Sequence, residues 1–419
     1  MSGWSSSADG LSPQRAIGLG PTVGQVEAGP LGEEVHAAHV VALLALPGMG
    51  PARLGRLLSR HGSAERAWQQ VAAGVSEAVF GQLGRRGDPV ALAAAWQAAA
   101  AGVDPRARWQ AHRAAGVVVL AKGGYGYPDR LVGDLEPPEL LFAQGDIGLL
   151  GHPTVALVGT RRASAYGLRL ARSWGDALAS AGVVVVSGLA AGIDAAAHQG
   201  ALDGLERSGC TPGPVAVVGT GHDVCYPASS RALWRRVADV GLILSEAPLG
   251  TRPEPWRFPA RNRIIAALAD VVVVVESHER GGSLSTAEEA AARNRVVLAV
   301  PGSVYSPASV GTHRLIAEGA GVAVSIEDVL LALGSRRPGS TPQPLPPTAP
   351  LGDAVRSGAG PMAEQERNLL DALGWEPTTL DDLVLRTAWS LDTVCAVLNQ
   401  LQRLNLVTQA GIWLTQRGD

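Results

Sequence analysis

Residues 154–167 read TVALVGTRRASAYG: five uncharged residues, a glycine, then two arginines and a serine ahead of the helical pattern GLRLARSWGDALASAG. A parallel strand covered on both faces shows no polar alternation, so it reads as an unbroken apolar run. Six more such runs follow: GVVVVSG (182–188), PVAVVGTG (214–221), LILSEA (242–247), DVVVVVES (270–277), VVLAVPG (296–302) and GVAVS (321–325). Helical patterns such as DAAAHQGALDGL lie between most of them. Parallel strands joined by helical crossovers form an α/β fold with a doubly wound, mostly parallel sheet of the Rossmann-like kind.

Outward from that centre the composition changes. Residues 1–33 are rich in Gly, Ser and Pro without periodicity, which predicts a disordered tail. Residues 34–110 read as a helical N-terminal domain. Within it LPGMGPARLGRLL (46–58) resembles a helix-hairpin-helix turn, whose glycines let backbone N–H groups approach a phosphate; a tight hairpin of helices with no ligand is the alternative. Residues 111–149 read as a bridging segment, 150–333 as the Rossmann-like domain and 334–361 as a Pro/Gly/Ser linker. Residues 362–419 read as three helices and a hairpin, the order of a winged helix.

The 419 residues are enough for two to four domains, and 46% hydrophobic content is that of a globular chain. Net charge is −3, so attraction to nucleic acid must come from a local patch. Lys122 is the sole lysine, and 34 of the 35 Lys+Arg residues are arginine, a planar fork suited to bidentate phosphate contact. Three widely spaced cysteines, Cys210, Cys225 and Cys395, form neither a disulfide framework nor a metal pattern. With no leader pattern and no run long enough to span a bilayer, the sequence predicts a soluble cytoplasmic protein without membrane partners.

In a doubly wound sheet ligands bind outside the carboxyl ends of the strands. The turns there are rich in small residues: Gly159 and Thr160 after the first strand, Ser187 and Gly188 after the second, Gly219 and Gly221 after the third, Gly281, Gly282 and Ser283 after the fifth. Such turns, with the helix starts that follow, predict an anion site. Arg161 and Arg162 stand on the first loop, and WRFPARNRII (256–265) adds Arg257, Arg261 and Arg263. Phe258 and Asn262 are scarce types here, each chosen from only three Phe or five Asn. An aromatic among arginines suits a platform for a base, although Phe258 also fits a core position. Neither GTRRAS nor GTGHDV completes the dinucleotide fingerprint, because neither carries all three glycines and Val224 stands where the last one of the second stretch belongs. Asp194 and His198 are four apart on one helix, a spacing that more often fixes a turn than runs acid–base chemistry. No catalytic residue, metal or cofactor is expected.

The ordered motifs VALVGTRRASAYG, SGLAAGIDAAAHQGAL, VAVVGTGHDVCYP, SEAPLG, FPARNRIIAALAD, GGSLSTAEEA and AVPGS…GTHRLIAEGA resemble the DNA-processing protein A family, DprA or Smf, over about residues 120–330. The resemblance implies a non-enzymatic binder of single-stranded DNA that protects incoming strands in natural transformation, helps load the RecA recombinase and dimerises through the Rossmann-like domain. It implies DNA roles for Arg161, the glycine turns, Phe258, Arg261, Asn262 and Arg263. The chain departs from the pattern at Ala191 and Pro255, where basic residues are usual, and at Ala228–Ser230 after the Tyr-Pro pair. Arg257 or Arg252 then takes over the charge missing at Pro255.

Two other readings compete. A nucleotide hydrolase of the cytokinin-activating, lysine-decarboxylase-like type has a loop echoed by GGSLSTAEEA, but Leu284 stands where that loop needs a glycine. A transcription regulator would work through the winged helix. Against duplex binding there, residues 362–419 carry four arginines and eight acids, a net charge of −4.

Overall fold

The computed structural model describes residues 31–74, 89–209, 212–334, 364–373, 378–403, 406–410 and 413–416. The chain divides between residues 342 and 343 into two compact units. The first unit opens with five helices, α1 (Leu31–Leu44), α2 (Pro51–His61), α3 (Ala64–Ala72), α4 (Pro89–Ala100) and α5 (Pro105–Ala114). Next come β1 (Val118–Ala121), α6 (Asp129–Val132), β2 (Leu140–Gly145), β3 (Thr154–Val158), α7 (Ala165–Ser180), β4 (Val184–Ser187), α8 (Ile193–Ser208) and β5 (Val215–Val218). The unit continues through α9 (Arg231–Val240), β6 (Leu242–Ser245), α10 (Arg257–Leu268), β7 (Val271–Val274), α11 (Gly282–Ala292), β8 (Val296–Ala299), α12 (Val310–Ala317), β9 (Gly321–Val322) and α13 (Ile326–Gly334).

The sheet order is β1-β2-β6-β5-β4-β3-β7-β8-β9. From β6 to β9 every pairing is parallel, whereas β2 lies antiparallel to β6 and β1 antiparallel to β2. The seven apolar runs are the seven parallel strands, and β3 through β7 are buried along their whole length. Alternate residues feed opposite faces, as the two-residue period requires. Val155, Leu157 and Val273 pack with Trp174 and Leu178 of α7, while Ala156, Val158 and Val274 pack with Ile264, Ile265 and Leu268 of α10. Crossovers leave β3 in one direction and β7 in the other, so the switch point lies between those two neighbours.

Two sequence boundaries move. Helix α1 starts at Leu31, so the end of the stretch read as tail is helical, and residues 1–30 lie outside the described residues. The segment read as a bridge contributes β1 and β2 to the main sheet. Leu140 and Phe142 of β2 also enter the core of the N-terminal helices, beside Leu43, Met49, Leu54 and Trp96, which fastens that helical layer to the sheet. The linker read at 334–361 has Gly334 as the last residue of α13; its remainder lies outside the described residues.

In the second unit α14 (Glu364–Leu373), β10 (Thr378–Thr379), α15 (Leu380–Thr387), α16 (Leu391–Arg403), β11 (Val407–Ala410) and β12 (Trp413–Gln416) follow the order of a winged helix, with a sheet ordered β10-β12-β11. Thr379 and Asp382 form a capping box at the start of α15, and Leu369, Leu383, Val394, Leu401 and Leu414 fill the core.

Candidate nucleic-acid interface

The loop after β3 is pinned from both sides. Thr160 donates its N–H to the Glu276 carbonyl at 2.8 Å, its hydroxyl lies 3.0 Å from His278 Nδ1, and its own carbonyl accepts the Ile193 N–H at 3.3 Å. Buried Thr160 thereby fixes a tip on which Arg161 and Arg162 are exposed. Gly192 makes the approach of α8 possible: its φ is +87°, and a Cβ there would lie 2.3 Å from the Thr160 carbonyl oxygen.

The helix starts are less open than the sequence suggests. Ser164 caps α7 by accepting the Gly167 N–H at 3.0 Å, and the buried Glu276 carboxylate accepts both the Ser164 N–H, at 2.8 Å, and the Ser164 hydroxyl. A side-chain carboxylate therefore occupies the positive end of α7, where a phosphate was expected. After β4 the Gly188 N–H donates to Asp194 at 3.1 Å and Ser187 Oγ donates to the Leu157 carbonyl at 2.6 Å, so that turn is also internally satisfied. Burial pushes the Asp194 carboxyl up, opposed by the Arg261 charge and by backbone N–H groups. His198 bonds the Val215 carbonyl at 3.2 Å, and burial lowers it to about 4, leaving it neutral. Asp194 and His198 thus serve separate structural partners rather than one proton relay.

Three residues of the FPARNR stretch turn inward, against the expectation that they line an open phosphate site. Arg261 is 7% exposed and donates to the Gly188 carbonyl at 2.8 Å and to the Val217 carbonyl. Asn262 donates to the Gly282 carbonyl at 3.2 Å. Arg263, 3% exposed, grips both Glu246 oxygens at 2.6 Å and donates to the Glu136 carbonyl at 2.9 Å. The physical reason is that α10 lies under the sheet, with every residue from 261 to 268 buried. Gly219, Gly221 and Ser283 are buried too, and Ser283 Oγ donates to Ser277 Oγ at 2.9 Å. Gly281 is half-buried and Gly282 exposed at the start of α11. Leu284 is a core residue.

At the surface the carboxyl ends of β3, β5 and β6 bring together residues far apart in sequence. The Arg161 guanidinium lies 5.2 Å from the Phe258 ring centroid, within cation–π range, and the Tyr226 ring lies 5.3 Å from Phe258 at 36°. Beside them Arg257 covers the Trp256 ring at 4.3 Å and pairs with Glu254 at 2.8 Å. Tyr226 and Trp256 are 39% and 38% exposed, and Phe258 is half-buried. The exposed Arg231 and Arg235 of α9 act electrostatically on Cys225, next to Tyr226. Sequence reasoning named Arg161, Arg162, Arg257 and Phe258 but passed over Tyr226 and Trp256, although both stand inside quoted motifs. Neighbouring rings flanked by guanidinium groups suit bases and phosphates. Among the described residues no three His, Cys, Asp or Glu side chains gather as metal ligands, and no helix is long and apolar enough to cross a membrane.

Comparison with known proteins agrees with this geometry. Residues 118–334 match the family described as DNA recombination-mediator protein A, and residues 340–409 match the DprA winged helix domain. Protein Smf of Synechocystis sp. is 34% identical over 410 residues, covering 89% of this chain and 96% of that one. The DNA processing protein DprA of Streptococcus pneumoniae is 44% identical over 204 residues, covering 49% of this chain and 70% of that one. The X-ray structure of DprA from Streptococcus pneumoniae superposes with a TM-score of 0.56 at 33% identity, covering 70% of this chain and 97% of that one. With both domain matches and a relative covered almost end to end, the chain belongs to the DNA recombination-mediator protein A family.

Proposed function

We propose that the first unit binds single-stranded DNA with little sequence preference and acts by binding rather than by catalysis. The observation that carries this reading is the patch of Arg161, Phe258 and Tyr226, where a guanidinium and two rings meet at 5.2 and 5.3 Å. Arg162 and Arg257 add phosphate contacts. Arg261, Asn262 and Arg263 act at one remove, holding the first turn of α10 so that Phe258 faces out. The glycine turns contribute close packing of backbone beneath the strand. Binding here serves a cytoplasmic mediator that protects incoming strands during transformation and delivers them to the RecA recombinase. The hydrolase reading finds little support, since Leu284, buried in the core, fills the place of that loop's third glycine.

Titration of labelled oligo-dT over a salt series tests the reading. Affinity is expected to fall steeply as salt rises, through counterion release, and duplex is expected to compete poorly. Phe258→Ala should cost about 1–3 kcal/mol of binding, and Arg161→Ala should flatten the salt slope by about one unit, with both variants folded. Salt-independent binding, or a preference for duplex, contradicts the proposal.

The reading includes a homodimer through the Rossmann-like domain. Exposed Val304, Tyr305, Val310, Val322 and Val324 lie before and on α12 and along edge strand β9, and they support self-association there. The second unit is assigned a regulatory or protein-contact role because residues 362–419 carry four arginines against eight acids. A chain ending at residue 335 is therefore expected to sediment as a dimer and to keep oligo-dT affinity within about tenfold of the full chain. A larger loss would assign DNA contact to the winged helix.

A further inference from the structure

Trp256 borders a groove that the proposed strand site does not use. The groove has a volume of 540 Å³. One wall is the turn from Gly48 to Arg53 that enters α2, and the other is formed by Trp256, Pro259 and Ala260 at the start of α10. A space of about 300–1,000 Å³ suits a ligand of nucleotide size. The Trp256 ring packs against the turn, since a Cβ on Gly50 would lie 3.0 Å from Cζ3. Its neighbour Arg257 covers the ring and leads directly to Phe258. Trp256 thus meets the turn into α2 while Phe258 meets Arg161 and Tyr226, both at one helix start.

Charge at the groove is mixed: Arg53 lines it, and its acids Glu136 and Glu289 each lie beside a guanidinium that also holds a second carboxylate. Glu136 lies 3.7 Å from Arg263, Glu289 pairs with Arg293, and Glu254 pairs with Arg257. At the first turn of α2 the Arg53 and Leu54 N–H groups bond the Gly50 carbonyl, whereas Ala52 is exposed at the positive end of the helix.

We infer that this groove is a second base-binding subsite for the same single strand: a nucleotide flanking the one on Phe258 stacks on Trp256, and its phosphate passes the first turn of α2. The inference rests on the proposed strand site and deepens it, giving the helical N-terminal layer a direct part in binding. It also gives a role to the LPGMGPARLG turn.

The test is fluorescence anisotropy with a ladder of oligo-dT from about 4 to 16 nucleotides, using the full chain. Trp256→Ala should weaken longer oligonucleotides about five- to 150-fold more than the shortest one bound, with Trp256→Phe restoring most of the loss. Because Trp256→Ala disturbs packing on Gly50, Ala52→Glu provides an independent arm. An acid in the first turn favours the helix, so its melting temperature should not fall, yet it repels a phosphate in the groove. Its expected effect is again greater on longer oligonucleotides. If Trp256→Ala and Ala52→Glu both bind every length as the unaltered chain does, while Phe258→Ala remains impaired, the subsite is refuted and the primary site stands. Equal weakening of all lengths by Trp256→Ala, with no effect of Ala52→Glu, also refutes it. Failure of the unaltered chain to bind any oligonucleotide removes the parent reading and this one together.

Discussion

Replacing Arg263 with alanine is expected to destabilise the first unit by about 3–5 kcal/mol, because it strands a buried carboxylate. The Arg263 side chain is 4% exposed and that of Glu246 is 16% exposed, with both Glu246 oxygens held at 2.6 Å. Removing the guanidinium leaves the desolvation of Glu246 uncompensated and releases the Glu136 carbonyl. The pH dependence has a definite sign. Burial already raises the Glu246 carboxyl, and Arg263 opposes that shift, so its loss raises the group further. A carboxyl whose folded value lies above its unfolded value contributes stability below the unfolded value and loses it as pH rises through the folded one. The deficit of Arg263→Ala should therefore be largest at neutral and alkaline pH and shrink in mild acid, where Glu246 takes up a proton. Urea titrations of both chains across that range measure it. The double variant with Glu246→Gln should recover part of the loss, since an amide needs no counter-charge. A deficit that grows toward acid pH would falsify the account.

Gly192→Ala should have a comparable effect by another route, about 2–6 kcal/mol from backbone strain and overpacking combined. Gly192 has φ +87° and ψ −129°, a region essentially closed to residues with a Cβ, and the added carbon would meet two carbonyl oxygens, at 2.3 Å from Thr160 and 2.8 Å from Arg161. Relief requires α8 and the loop after β3 to separate, which breaks the Ile193 to Thr160 bond and lifts Arg161 from Phe258. Oligo-dT affinity should fall with stability, even under conditions where circular dichroism reports a folded chain. A variant with unaltered melting and binding would mean that this backbone region is not strained.

Much of the fold was legible because burial on both faces leaves an unmistakable imprint. Each of the seven parallel strands lies within a run with no alternating polar residue, and the Gly/Ser turns between them mark where helices begin. Strands β1 and β2 were not legible as sheet members, since VVLA is short and LLFAQG follows a proline-rich stretch that reads as a connector. At the site, the loop tip with Arg161 could be read from position alone. The orientation of Arg261 and Arg263 could not. Their acceptors, the Gly188 and Val217 carbonyls and the Glu246 carboxylate, belong to other strand ends, and only tertiary packing reveals that these charges are already satisfied. Tyr226 was missed for the converse reason, because nothing local to CYP announces that its ring meets Phe258.

The Glu276 carboxylate at the start of α7 bears on competition inside a cell. An unoccupied helix start at a switch point is a general anion seat, open to inorganic phosphate and to any free nucleotide. Here that seat is filled by a group tethered to the fold, which any free anion would have to displace. A mononucleotide is left with separate weak contacts on exposed arginines and rings, and it can engage few of them at once. A polymer engages many together, and after the first contact each further one forms within the same complex. On the proposed strand-binding reading, selectivity for chain over monomer follows from closing this helix start rather than from strengthening any other contact.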